Sequence, residues 1–482
     1  MSELHGRVAA LARRTVQNNL WRQRRCFNLI PSETTPSLLV KLCEIADPAG
    51  RYAEHRTLKG REIYFYQGTD FIQEVEEEAR REICRFFACE EAELRPISGQ
   101  MANEVVFKAM LRWRSTESGG KAPRRLRQVL NNDLTKGGHL SAQPMGALFH
   151  CIDFDPETGR ERVVHFPLRA DNPYRTDLSQ LGELLQEHRP ELVVFGKSMF
   201  LYPEPVREVA TMVRDREPRP LLHYDMAHVL GLYGAFQAPL EEGADVVTGS
   251  THKTFFGPQR GVVVSNFDKE SPLRKLWLEI KSRAFPGSTS NHHLGTLLGL
   301  LLATYEMNAF KGEYQKAVLR NARAFARALD AAGLQVEGDR ADGFTHTHQV
   351  LLRVRAHGTG EEVARRLEQN NILTNYQALP DDTSFIDSSG IRLGVQEMTR
   401  FGLAEPDFER LAYHIAAVVL HGKDVSGEVA RDRERFLLMR YCLPPEETLP
   451  VAGELLASIL PSSDYAQRFG EALQRAGRAL EA

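Results

Sequence analysis

The chain has 482 residues, 42% hydrophobic and 26% charged, with a formal net charge of −3. That length carries two or three domains around sizeable cores, and the near-neutral balance offers no basic field for nucleic acid. No apolar stretch approaches the roughly 20 residues that span a bilayer, and the charged segment from Met1 to Trp21 lacks a signal-type apolar core, so a cytoplasmic enzyme is expected. Cys26, Cys43, Cys84, Cys89, Cys151 and Cys442 follow neither metal-type nor disulfide-framework spacing, which fits reduced packing thiols.

In chain order, residues 1–27 form a helical arm. Residues 28–305 alternate β-branched runs with helical segments, the pattern of an α/β domain with a largely parallel sheet. Its strand candidates are 128–131, 148–152, 192–195, 221–224, 245–248 and 261–265, and the Gly/Ser-rich polar stretch 114–124 reads as a loop. Alanine and leucine at helical spacing predict a long helix over 313–333, inside a smaller α/β domain spanning 306–422. Residues 423–482 form a helical extension whose two segments are parted by Leu443-Pro444-Pro445; packing or oligomerisation is its expected role.

The chemistry concentrates at two strand ends. Ala244-Asp245-Val246-Val247 runs into Thr248-Gly249-Ser250-Thr251-His252-Lys253-Thr254, and Leu221-Leu222-His223-Tyr224 runs into Asp225-Met226-Ala227-His228. Most lysines are solvated surface residues, but one placed just past a buried-type strand is badly sited for that. A lysine for a Schiff base and an aspartate that keeps a pyridine nitrogen protonated are what pyridoxal phosphate chemistry requires. Other motifs fail on their own terms. Gly196-Lys197-Ser198 has Glu191 where a phosphate-binding loop needs glycine. His346 with His348, and His292 with His293, have no acidic or cysteine partner nearby in sequence, so hydrogen-bonded histidines are expected rather than a metal site.

Around the lysine, Thr251-His252-Lys253-Thr254 and Gly257-Pro258 join a series of blocks in order. They are Leu29-Ile30-Pro31-Ser32-Glu33, Tyr52-Ala53-Glu54, Tyr66-Gln67-Gly68-Thr69, Ser98-Gly99-Gln100-Met101-Ala102-Asn103, Gly137-Gly138-His139-Leu140, Phe285-Pro286-Gly287 and Ser389-Gly390-Ile391-Arg392-Leu393-Gly394. Over roughly residues 15–420 the series resembles serine hydroxymethyltransferase. Some decarboxylases of the same cofactor class also carry a histidine before the lysine, but the collinear blocks favour the hydroxymethyltransferase branch.

The resemblance implies a fold-type I pyridoxal phosphate enzyme in which Lys253 carries the cofactor and Asp225 meets its ring nitrogen. Ser98 and Gly99, at a turn into a helix, would hold the phosphate through a hydroxyl and free N–H groups, with Gln100 standing where the family has a small hydroxyl residue. Ser250 and Thr251 would complete that cup or shuttle protons. By resemblance His139 stacks on the ring, His228 and Ser198 bond the phenolic oxygen, and His252 orients the lysine. Arg392 is matched to the family's carboxylate clamp, assisted by Ser32, and together they set which bond stands perpendicular to the ring. Tyr52, Glu54, Gly287 and Ser288 would reach a neighbouring subunit's site, making a homodimer, or a dimer of dimers, the functional unit. Tyr66 lies near that shared interface, where it would position a proton, and Glu54 is the candidate general acid or base, its pKa raised by burial.

Departures from the family cluster where the folate cosubstrate and the far end of the amino acid should lie. The segment from His55 to Phe65 is about four residues longer than expected and more basic, with Arg56, Lys59 and Arg61, though a solvated loop face is an equally good account of that stretch alone. Asn375-Tyr376-Gln377-Ala378 stands where the family has a lysine-asparagine-serine run against folate. Val395-Gln396-Glu397 replaces Thr-Pro-Ala, Ser288 to His293 replaces a glycine-rich stretch, and Gln259 precedes Arg260. The expectation is a folate-independent enzyme acting on the Cα–Cβ bond of a β-hydroxy-α-amino acid, as threonine aldolases and transaldolases do, with an aldehyde as second substrate and Glu54 or His228 as base. A folate-dependent hydroxymethyltransferase with a divergent pocket is the alternative. Intact Asp225, Lys253 and Arg392 argue against a non-catalytic scaffold.

Overall fold

The structure, a computed structural model, describes residues 2–58 and 61–481. A helix over Ser2–Leu20 and a wider turn over Trp21–Arg25 lead into β1 (Phe27–Asn28), then a hairpin of β2 (His55–Leu58) and β3 (Arg61–Tyr64). There follow β4 (Glu91–Glu93), β5 (Val129–Asn131), β6 (Val163–His165), β7 (Leu192–Phe195), β8 (Leu221–Asp225), β9 (Val246–Ser250) and β10 (Gly261–Ser265). These form a seven-stranded sheet in the order β4-β10-β9-β8-β7-β5-β6. Only β10 runs antiparallel to its neighbours, the other pairings being parallel. Helices cover both faces, so β7 to β10 are buried at every position and read as unbroken apolar or small runs instead of alternating ones.

Downstream, β11 (Gln335–Val336), β12 (Gln349–Arg353), β13 (Ile372–Leu373), β14 (Asn375–Gln377) and β15 (Gly390–Gly394) build the smaller sheet, ordered β11-β12-β15-β14, while β13 pairs with β1. The helices Ser426–Arg433, Pro445–Ser458 and Ser463–Glu481 follow. Among the described residues no helix is long and apolar enough to cross a membrane.

Three expectations need correction. Residues 148–151 form turns, not a strand: His150 takes φ +59°, Leu148 and Cys151 are buried without a ladder, and Ile152 makes only an isolated parallel bridge with Leu126. A short apolar run signals burial before it signals a strand. The loop expected over 114–124 begins later, because the helix Gly99–Glu117 keeps Arg114 buried, donating to Arg219 O at 2.7 Å. The helix expected over 313–333 is the last part of a 38-residue helix, Leu294–Ala331, which crosses the 305/306 boundary without a break.

Candidate active site

Parallel strands deliver their C-terminal ends to one edge of the sheet, the edge where open α/β folds bind ligands. Asp225 closes β8, Ser250 closes β9 with Lys253 just beyond, and Ser198 follows β7. Asp225 is 2% exposed; it accepts from Asn103 Nδ2 at 2.8 Å and Ala227 N at 3.0 Å, and His139 Nδ1 lies at 2.5 Å. Burial alone would raise its pKa, but His139 and these donors outweigh burial and hold the carboxylate ionised, well below the usual range.

Lys253 is 8% exposed, and its pKa is pushed down to about 8, chiefly by burial and also by Arg392, against an opposing pull from Asp225. Its ammonium makes no hydrogen bond among the described residues, and a lysine tuned this low keeps free amine available near neutral pH. Burial, then Lys253, Arg392 and His139, drives the His228 pKa well below its ordinary value. That ring sits 3.4 Å from Gln349 Nε2 and edge-on to His139. Burial and Lys253 push His252 down to about 4.

Ser98 caps the helix Gly99–Glu117, its Oγ accepting from Met101 N at 3.1 Å, with Ser98 and Gln100 exposed at the rim. Glycine is required at 99: a Cβ there would lie 2.2 Å from Ser250 Oγ. The helix N-terminus therefore stands directly on the end of β9. Thr251 is otherwise engaged, donating to Pro258 O at 2.5 Å and accepting from Arg260 N at 3.1 Å, which makes it a brace for that turn. The Ser198 hydroxyl bonds the carbonyls of Gly137 and Gly138 at 3.3 and 3.2 Å.

Arg392, central in β15 and 7% exposed, donates from Nη1 to Ser198 O at 2.6 Å and from Nε to Asn375 Oδ1 at 3.2 Å. Burial alone lowers its pKa, to about 10. The Ser32 loop is clipped to the end of this strand. Gly394 N donates to Leu29 O at 2.7 Å, Gln396 Nε2 to Ile30 O and Glu33 O, and His348 Nε2 lies 3.1 Å from Pro31 O. Buried Glu397 accepts from Asn28 and Thr35 on the same segment. The Val395-Gln396-Glu397 departure thus serves to seat the N-terminal loop.

Tyr52, Glu54, Tyr66, Gly287 and Ser288 are not brought to Lys253 or Asp225 within one chain. Tyr52 and Tyr66 are 49% and 42% exposed, with ring centroids 5.4 Å apart, in an open groove with Arg51, Phe71 and Leu294. Glu54 is half-buried nearby, where its carbonyl accepts from Phe65 N. Gly287 is exposed and Ser288 half-buried at the end of the Arg283–Ser288 turn.

Three of the departures prove to be one packed unit. His55 stacks on Tyr64 at 4.5 Å, Tyr64 OH donates to Glu76 at 2.7 Å, and Glu76 lies 3.0 Å from His292 Nε2 and 3.4 Å from His55 Nδ1. Arg260, fully buried, donates to His292 O at 2.5 Å, His293 O at 3.0 Å and His292 Nδ1 at 3.3 Å. Arg56 and Arg61 are exposed, and Lys59 lies outside the described residues. The expectation that His346 lacks an acidic neighbour is corrected: Asp342, four residues earlier, pairs with it at 2.9 Å. Among the described residues no three histidine, cysteine or acidic side chains are grouped to hold a metal.

Sequence reasoning quoted Asn103 and Asn375 inside longer blocks without giving either a role, and it passed over Gln349. Asn103 lies one helical turn past Gly99, a spacing that points it at the same strand ends. The other two are signalled only by cross-strand pairing.

A mostly parallel α/β sheet with a buried lysine and a buried aspartate at its C-terminal edge defines the fold-type I class of pyridoxal phosphate enzymes. The chain matches the serine hydroxymethyltransferase family model over residues 10–415 and belongs to that family of pyridoxal phosphate-dependent transferases. Serine hydroxymethyltransferases from Korarchaeum cryptofilum and Pyrobaculum aerophilum are 40% and 37% identical to it, covering 86% and 88% of this chain and 92% of each relative. The crystal structure of L-threonine transaldolase from Pseudomonas fluorescens superposes with a TM-score of 0.77 at 25% identity, covering 94% of this chain and 99% of that one.

Proposed function

We propose that the chain is a folate-independent member of this family that makes or breaks the Cα–Cβ bond of a β-hydroxy-α-amino acid, exchanging the aldehyde carried by a glycine unit. The observation that carries the reading is the Glu76 unit: the longer hairpin, the His292 segment and Arg260 are rebuilt together around one buried carboxylate. Such mutual packing is foreign to a drifting loop and speaks for a pocket of altered shape. Likeness to a threonine transaldolase over nearly its whole length supports the same reading.

The side chains fit the cofactor. Lys253 is buried and makes no hydrogen bond among the described residues, the Asp225 carboxyl is held well below its usual range, and a glycine-opened helix N-terminus stands on the end of β9 at the same edge. When bound, pyridoxal phosphate supplies an electron sink for the bond that breaks. In this reading Lys253 attaches it, Asp225 holds its ring nitrogen protonated, and Ser98, Gly99, Gln100 and Ser250 take the phosphate. His139, which shares Asp225 Oδ2 with Asn103, would cover the ring face beside the aspartate. Ser198 and His228 flank the phenolic oxygen, and His252 orients the lysine. Arg392 and Ser32 bind the substrate carboxylate. His228, kept neutral among cations, is a weak base, which leaves Glu54 of a second copy as the group to take the substrate hydroxyl proton. Tyr52, Tyr66, Gly287 and Ser288 would arrive with it.

The second reading is folate-dependent serine cleavage, the alternative suggested by the name of the 40%-identical relative. Calorimetry with tetrahydrofolate, paired with serine turnover, separates the two. No binding and no acceleration is the expected result; folate-dependent turnover would restore the second reading.

A further inference from the structure

We infer that Asn375 is the positioning residue that aims the Arg392 guanidinium and preserves its positive charge for a ligand carboxylate. This rests on the reading of Arg392 as the carboxylate clamp. Asn375 and Arg392 are direct cross-strand partners in the β14–β15 register, the pairing that places side chains side by side on one face. The amide has a fixed sense: Nδ2 donates to Tyr376 O at 3.0 Å, which leaves Oδ1 for Arg392 Nε. The other anchor, Ser198 O, is also neutral. Of five N–H donors, two are committed, and three remain to meet a carboxylate, both of those on Nη2 among them.

Both acceptors being neutral matters because two other buried arginines, Arg95 and Arg400, are bonded to a carboxylate, while Arg260 and Arg433, bonded only to neutral acceptors, still lie in the field of Glu76 and Glu93 and of Glu397 respectively. Arg95 pairs with Glu93 at 2.5 Å and Arg400 with Glu306 at 2.7 Å. Arg392 is as deeply placed, yet burial is the only influence on its acidity, so no protein carboxylate compensates it. An aspartate at 375 would have nearly the same shape and would close an ion pair with Arg392, spending on the protein the charge that the ligand needs.

Holoenzyme carrying Asn375→Asp, Asn375→Ala or Arg392→Ala is titrated with glycine and with ethylamine, which lacks a carboxylate, while cofactor absorbance and the thermal midpoint are recorded. Asn375→Asp should weaken glycine about tenfold or more, approaching Arg392→Ala, with ethylamine affinity and cofactor content unchanged. Asn375→Ala should lose less, since it misaims the clamp without neutralising it. Glycine affinity within about twofold of the parent in Asn375→Asp, beside a large loss in Arg392→Ala, would overturn the inference. Equal loss of glycine and ethylamine would also overturn it, by marking a structural role. Unchanged glycine affinity in Arg392→Ala would remove the clamp and the inference together.

Discussion

Lys253 and Arg392 are buried close enough for Arg392 to lower the lysine's pKa; among the described residues neither has a carboxylate bonded to it, and only Lys253 feels one, Asp225. Uncompensated buried charge is costly, and protein folds retain it chiefly where a ligand will compensate it. Two expectations follow at this scale. Lys253→Ala should abolish borohydride-trappable cofactor, and in the parent apoenzyme the rate of cofactor attachment should climb with pH and level off above about 8. The sign follows from the lowered pKa: the free amine accumulates as pH rises through it. A midpoint near the ordinary lysine value of 10.5 would show that burial does not tune this amine. Arg392→Ala should cost about 2 to 5 kcal/mol in amino acid affinity while leaving the cofactor in place, read by glycine titration. Lys253 was legible in the sequence because it follows a buried-type strand beside a histidine, and Arg392 because its Ser-Gly-Ile-Arg-Leu-Gly setting matches a family block. Asn103 and Asn375 were not, since an uncharged amide acquires its role only from the register or helix turn that brings it to a partner.

Secondary structure elements carry a different part of the account, and the β2–β3 hairpin carries most of it. Burial would raise the Glu76 pKa, but His292, His55 and Tyr64 outweigh burial and hold it at about 2, below the ordinary 4.5. A depressed carboxyl pKa means that the unfolded chain binds the proton more readily. The stabilisation from Glu76 is therefore complete above about 4.5 and fades as pH falls toward about 2. Glu76→Gln should lower the thermal midpoint at neutral pH, speed hydrogen exchange in the hairpin, and flatten the acid limb of stability between those values. An unchanged acid limb would sever the hairpin from Glu76. Sequence showed this segment as a basic insertion, because its charges lie on the exposed face, at Arg56 and Arg61, whereas its anchor lies on the helix Asp70–Phe87. Strands 192–195 and 261–265 were readable as buried β-branched runs; 148–152, with one β-branched residue and a histidine in the left-handed region, folded as turns and meets Leu126 only in a single bridge at Ile152.

At the scale of the whole molecule, the two halves of the proposed site lie apart in one chain, with Lys253, Asp225 and Arg392 on the sheet edge and Tyr52, Glu54 and Tyr66 along an open groove. The proposed sharing of a site between two copies would reconcile them. Lys253→Ala and Glu54→Gln protomers, each inactive alone, should regain turnover when mixed and re-equilibrated, since one mixed site inherits both intact groups. Failure to complement, with mixed assemblies confirmed by mass, would confine the chemistry to a single chain. The central claim, carbon–carbon bond exchange without folate, is tested most directly by incubating the purified enzyme and pyridoxal phosphate with L-threonine and an added aldehyde in the absence of tetrahydrofolate. Acetaldehyde release with formation of a new β-hydroxy amino acid is expected. Neither product forming, while serine is cleaved only once tetrahydrofolate is supplied, would contradict it.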